Sequence, residues 1–282
     1  MSEILEPKPY DPGQTSEERM NIIKSLYPKD MELDEETVKP EPEPEPKPKC
    51  VKQFPRRPLV ELAVNPHAHV ATPHKPFHRF VFTAVSFNND GNHHSSVSIV
   101  TLGGDDIILG MTTVDKMLKA TDVENPIVDH LQRIRRIPGC EHAAIVLSVE
   151  NNMRSEATHV IQLVERHFEN VIIMKDSTDD KPGFLVTQSK KEDMFKLTLY
   201  MLETESRPSM HENIVCADTS NGVASTLVEF VDQMLRFSRT ELSNDRVVFT
   251  QNAKLANAYM QCLYARRDFY CNRSRKYNHY FE

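Results

Sequence analysis

The chain has 282 residues, 39% of them hydrophobic, with 8 glycines, no tryptophan and a formal net charge of −7. That suits one medium domain with a tail, or two small domains. No apolar run approaches the roughly 20 residues that span a bilayer, and the five cysteines (Cys50, Cys140, Cys216, Cys262, Cys271) form no CxxC pair, which argues against a zinc site or a disulfide framework. The N-terminus MSEILEPKPYDPG lacks the basic start and apolar core of a secretory signal, so the expectation is a soluble protein of a reducing compartment, without membrane contact.

The acidic excess is local. Residues 1–50 hold 13 acidic and 7 basic side chains, the remainder 28 and 27, so charge neither demands nor forbids a nucleic-acid partner. Residues 1–52 read as a disordered, acidic, Pro-rich tail. KPEPEPEPKPK (Lys39–Lys49) alternates proline with charge and cannot bury apolar surface, while a short helix capped by Ser16 is possible over Thr15–Leu26. Residues 53–79, rich in Pro and His, read as an extended lead-in.

The core is expected to begin at Phe80 and run to Arg267. RFVFTAVSF (Arg79–Phe87), SSVSIVTL (Ser95–Leu102) and DIILGMTTV (Asp106–Val114), joined by the turns NNDGN and GGDD, read as an antiparallel three-strand meander. A helix at Pro126–Ile137 ends at Pro138-Gly139. AAIVLSVENN (Ala143–Asn152) is a short Val- and Ile-rich run, the mark of a strand buried on both faces. Helix Met153–Phe168 follows, with Ala157, Val160, Ile161, Val164 and Phe168 at helical spacing. Then come strand Asn170–Met174, helix Lys190–Glu203, strand Glu212–Ala217, helix Val223–Phe237, strand Asp245–Thr250 and helix Asn252–Arg267. Residues 268–282 form a basic, aromatic tail.

Glu150 ends the buried run, at the carboxyl edge where open α/β sheets place their ligands. A carboxylate there either binds something or caps the next helix. The order of elements, a meander followed by parallel strands with helices on both faces, is that of an α/β ribonuclease H-like mixed sheet. Nucleases of that architecture hold two divalent ions, roughly 4 Å apart, between carboxylates.

Two stretches, VLSVENNMRSEATHVIQLV (Val146–Val164) and KPGFLVTQSKKEDMFKLTLYMLE (Lys181–Glu203), resemble the C-terminal nuclease domain of the large terminase subunit of herpesviruses and tailed phages. The matching positions are Val149, Glu150, Asn151, Asn152 and His159, then Gly183, Thr187, Ser189 and Lys190. LVEFVDQMLRFS (Leu227–Ser238) resembles the family's late helix. The resemblance implies metal-dependent cleavage of concatemeric double-stranded DNA with Mg²⁺ or Mn²⁺, in company with other terminase subunits and the capsid portal, and in the host nucleus if the source is herpesvirus-like.

It also implies acids that this chain lacks. The place of the first acid reads Ala84-Val85-Ser86-Phe87, and the place of the last reads Thr250-Gln251-Asn252-Ala253. There is no G-x-x-x-x-G-K-[S/T] loop, hence no ATPase motor of that type. The residue candidates are therefore Glu150 as catalytic carboxylate, and Glu150 with Asp90 as metal ligands, although an Asn-Asp-Gly turn also explains Asp90. Ser189, Lys190 and Lys191 at a helix start, and Arg266, Arg267, Arg273 and Arg275 near aromatic residues, are the candidate nucleic-acid contacts. Three functions stay open: a metal-dependent endonuclease, a catalytically degenerate DNA-binding or assembly subunit, and an unrelated α/β adaptor.

Overall fold

The computed structural model describes residues 47–64, 79–89, 95–103, 106–114, 120–152, 154–175, 183–204, 208–216, 222–250 and 253–272. Strands are β1 (Pro48–Gln53), β2 (Phe80–Asn89), β3 (Ser95–Leu102), β4 (Ile107–Val114), β5 (Ala144–Val149), β6 (Val171–Ile173), β7 (Ser209–Cys216), β8 (Ser238–Leu242) and β9 (Val247–Phe249). Helices are α1 (Arg56–Val64), α2 (Ala120–Ile134), α3 (Arg154–His167), α4 (Gln188–Glu203), α5 (Gly222–Arg236) and α6 (Lys254–Cys271).

Six strands form the main sheet in the order β6-β5-β2-β3-β4-β7. The β2–β3 and β3–β4 pairs are antiparallel, which is the expected meander. The β2–β5, β5–β6 and β4–β7 pairs are parallel. Alternate residues of the central strands feed opposite faces. Phe80, Phe82, Ala84, Val100 and Val146 enter a core completed by α1, α4, α5 and α6. Val81, Val85, Val97, Ile99, Ile145 and Val149 enter a second core under α2 and α3. The mixed sheet with helices on both faces stands as the sequence led us to expect.

The second core contains a buried polar network. His130 of α2 bonds through Nε2 to Thr101 Oγ1 at 2.9 Å and through Nδ1 to Thr112 Oγ1 at 2.8 Å. Thr101 in turn bonds to Thr83 at 2.9 Å. Gly110 makes room for this ring, because a Cβ there would stand 2.8 Å from His130 Cε1.

Three sequence expectations change. The lead-in over 53–79 is helical at Arg56–Val64, where Leu59 and Leu62 are fully buried. The small sheet β1-β8-β9 lies outside the main one. Its β1, Pro48–Gln53, begins inside the stretch read as tail, so the described fold includes residues well ahead of Phe80. Asp245–Thr250 contributes β9 to this small sheet. Lastly, α6 continues through Phe269 to Cys271. Phe269 is buried 5.2 Å from Phe80 and 5.6 Å from Phe82 between ring centres, so the start of the basic tail belongs to the core. The Thr15–Leu26 helix and the histidines between 66 and 78 lie outside the described residues.

Burial, aided by the nearby Arg133 charge, lowers the His130 pKa from 6.5 to about 3. The folded imidazole thus stays neutral while the unfolded one protonates below about pH 6.5. The stability from this depressed pKa is complete above that value and is lost as pH falls towards 3. Denaturant unfolding at pH 7 and pH 5 should show wild type losing about 2 kcal/mol more than His130→Gln over that interval.

Candidate functional site

Parallel pairing of β2 with β5 aligns Ala84 with Ser148 and Val85 with Val149. The ladder continues one step further, with the Glu150 amide donating to the Val85 carbonyl at 2.8 Å. This brings the Ser86 and Glu150 side chains together at the strand ends. Glu150 Oε2 accepts the Ser86 hydroxyl at 2.7 Å and the Phe87 amide at 3.1 Å. Glu150 Oε1 accepts Asn152 Nδ2 at 3.0 Å. Three of the roughly four acceptor directions of a carboxylate are therefore occupied by protein donors.

The loop before α4 closes one side. Phe184 bridges Glu150 in parallel register, its amide donating to Val149 O at 2.7 Å while its carbonyl accepts from Asn151 N at 2.9 Å. Asn152 Oδ1 accepts the Val186 amide at 3.1 Å. Gly183 sits at φ +103°, and a Cβ there would come 2.9 Å from that of Asn151. Thr187 then caps α4, accepting the Lys190 amide at 3.2 Å.

A cavity of about 80 Å³ lies in front of the carboxylate, lined by Ser86, Glu150, Val186, Lys191, Met194, Asn257 and Gln261. Lys191 comes from the first turn of α4, and its Nζ lies 5.5 Å from the centre of the Phe249 ring and 6.0 Å from that of Phe237. From α6, Gln261 Nε2 donates to the Ser148 carbonyl and hydroxyl, both at 3.0 Å. Asn257 Oδ1 is buried with no hydrogen-bond partner among the described residues. Burial raises the Glu150 pKa, opposed by the Ser86 hydroxyl, the Phe87 amide and the Lys191 charge. Burial likewise lowers that of Lys191, and Glu150 pulls it back up.

Glu150 thus occupies the expected position, but the groups around it are uncharged or cationic. Ser86 stands on β2 where the resemblance calls for an acid. On the last helix the residues reaching the cavity are Asn257, one turn inside α6, and Gln261, both beyond the Thr250–Ala253 segment singled out in the sequence. No group of three or more His, Cys, Asp or Glu able to hold a metal exists among the described residues. A pair of divalent ions needs several hard anionic oxygens, and the described lining offers one carboxylate beside an ammonium. It does not fit two such ions. Asp90 lies outside the described residues, as do Arg273 and Arg275.

The other candidates separate. Ser189 is exposed at the start of α4, where Thr187 takes the capping role. Lys190 lies with its Nζ 4.6 Å over the Phe184 ring. Arg266 makes an ion pair with Asp106 at 2.6 Å, beside the start of β4, and lies 5.6 Å from the Tyr270 ring. Arg267 is exposed, on the rim of grooves of about 470 and 540 Å³ between α4 and α6 that share no lining residue with the Glu150 cavity. Sequence reasoning missed Asn257 and Gln261. Their spacing of four along one helix is a signal that they share a face, but nothing local shows that the face meets Glu150.

The strand order, mixed directions and two-sided helix cover are those of a ribonuclease H-like domain. Among solved structures, the human cytomegalovirus terminase nuclease domain is similar. Its manganese-soaked, inhibitor-bound form aligns with TM-score 0.56 at 10% identity, over 78% of this chain and 97% of that one. A manganese-soaked form gives 0.54 at 10% identity, over 75% and 94%. At that identity the likeness establishes the fold. No family model and no curated protein matches the sequence.

Gly183→Ala, strained at its positive φ and crowded against the Asn151 side chain, should disturb this loop and loosen the support of Glu150. Thermal unfolding should show a loss of about 1–3 kcal/mol, the usual cost of forcing atoms into a packed site.

Proposed function

We propose that this domain serves in viral DNA packaging as a terminase-nuclease-like module that grips double-stranded DNA without cutting it. The observation that carries the reading is a ribonuclease H-like fold in which β5 ends on the buried carboxylate of Glu150, with Ser86, Asn257 and Lys191 as its neighbours around one cavity. The similar cytomegalovirus domain is a terminase nuclease, which points to concatemeric double-stranded DNA, other terminase subunits and the capsid portal as partners. A herpesvirus-like source would place that work in the host nucleus. Among the described residues, no helix is long and apolar enough to cross a membrane.

Metal-dependent cleavage with Mg²⁺ or Mn²⁺ is the competing activity. It requires acids additional to Glu150, and Asp90 is the sequence candidate for one. Gripping needs only cations near the phosphates. Lys190 at the helix start and exposed Arg267 are the described candidates, with Arg273 and Arg275 further along the chain. Binding of this kind weakens steeply with salt.

Supercoiled plasmid incubated with the full chain and Mn²⁺ tests the reading. The expected result is a salt-sensitive mobility shift without nicking, weakened several-fold by a combined Lys190→Glu, Arg267→Glu variant. Nicking that disappears in Glu150→Ala would establish the cleaving activity instead. No shift at low salt would remove DNA as the ligand.

A further inference from the structure

We propose that the Lys191 ammonium is the resident cation of the Glu150 pocket, so that this site keeps its charge balance without a divalent ion. The inference deepens the non-cutting part of the proposed function and uses no DNA contact.

Four observations lead to it. First, Glu150 and Lys191 line the same small cavity and are the charged groups among its described lining residues, beside Ser86, Val186, Met194, Asn257 and Gln261. One negative and one positive charge cancel there, and each shifts the other towards its charged form across the cavity. Second, the carboxylate is already held by Ser86, Phe87 and Asn152 on both oxygens. Little acceptor capacity is left for a metal, and a bridging ion would have to displace those donors. Third, the lysine is positioned from outside the site. Phe237 and Phe249 lie against its ammonium. Those rings belong to a cluster with Phe54 and Phe195, in which Phe54 is 4.8 Å from Phe195 and 5.6 Å from Phe237 between centres. A cation over aromatic faces in a water-poor setting is held electrostatically. Fourth, a dication entering this cavity would meet the like charge of the ammonium among largely buried groups, where repulsion is stronger than in bulk water.

The orphaned Asn257 Oδ1 fits the same scheme. A cavity of about 80 Å³ has room for water, which needs on the order of 10–15 Å³ and two or more polar partners. Water donating to Asn257 Oδ1 and accepting from Lys191 Nζ would satisfy both groups without a metal.

The test uses the metal ion alone as probe. Thermal unfolding and Mn²⁺ titration followed by electron paramagnetic resonance are run on the full chain, on Lys191→Met, on Glu150→Gln and on the double variant. Wild type should unfold at the same temperature in EDTA and in millimolar Mn²⁺. Lys191→Met should lose stability in EDTA, recover it with Mn²⁺, and bind the ion roughly tenfold or more tightly than wild type, the usual size of a coupling between adjacent sites. The double variant should again ignore Mn²⁺. Saturable Mn²⁺ binding by wild type that is lost in Glu150→Gln would overturn the proposal, as would a folded Lys191→Met that gains no response. If Lys191→Met does not fold, the wild-type and Glu150→Gln titrations decide by themselves. Plasmid binding takes no part in any readout, so failure of the packaging reading leaves this result standing, whereas Mn²⁺ binding by wild type at Glu150 would also remove the ground for a non-cutting site while leaving the plasmid shift intact.

Discussion

The architecture of the site depends on one parallel strand pair. By running β5 alongside β2 in register, the sheet puts Ser86 and Glu150 next to each other at its carboxyl edge. Every other part of the site approaches that edge. The Phe184 loop bridges Glu150 by backbone hydrogen bonds. The α6 helix reaches β5 two residues before Glu150, through Gln261 and Ser148. A carboxylate drawn from water at such a place costs free energy unless donors or a cation compensate it. The protein supplies three donors and, across a small cavity, an ammonium.

That ammonium is where the outlying part of the fold becomes relevant. The small sheet β1-β8-β9 and the turn into α1 deliver Phe54, Phe237 and Phe249 to one aromatic cluster with Phe195 of α4. Phe237 and Phe249 of the cluster lie against Lys191, so residues far from Glu150 in sequence flank the ammonium that shares its cavity. Aromatic pairs of this kind add about 0.5–1.5 kcal/mol each beyond their buried area, enough to make the cluster a defined surface rather than a loose apolar patch. The same ribonuclease H-like frame therefore carries two chemistries in principle, depending on which residues fill the positions around the β5 carboxylate.

Much of this was legible in the chain. The meander, the buried β5 run and the helices α3 to α6 follow from periodicity and turn residues, because each carries its own apolar pattern. Ser86 at the place of a missing acid was also visible. The small sheet was not: β1 is exposed along its whole length and reads PKCVKQ, a composition that resembles its Pro- and Lys-rich surroundings. Helix α1 was hidden by Pro58 and by its short length, although Leu59 and Leu62 are fully buried. In the sequence Lys191 read only as a candidate nucleic-acid contact at a helix start. Its location depends on aromatic residues some fifty positions downstream, which no local pattern connects to it. Asn257 was overlooked for a similar reason, since the helix turns it into the cavity only once α6 has docked on β2 and β3.

The most direct measurement is a crystal structure of the full chain soaked in manganese, read at the metal's anomalous edge. The account predicts no anomalous peak at the Glu150 carboxylate, with Lys191 facing it and Ser86 still donating to Oε2. One or two peaks coordinated by Glu150, with Lys191 displaced from the cavity, would contradict it.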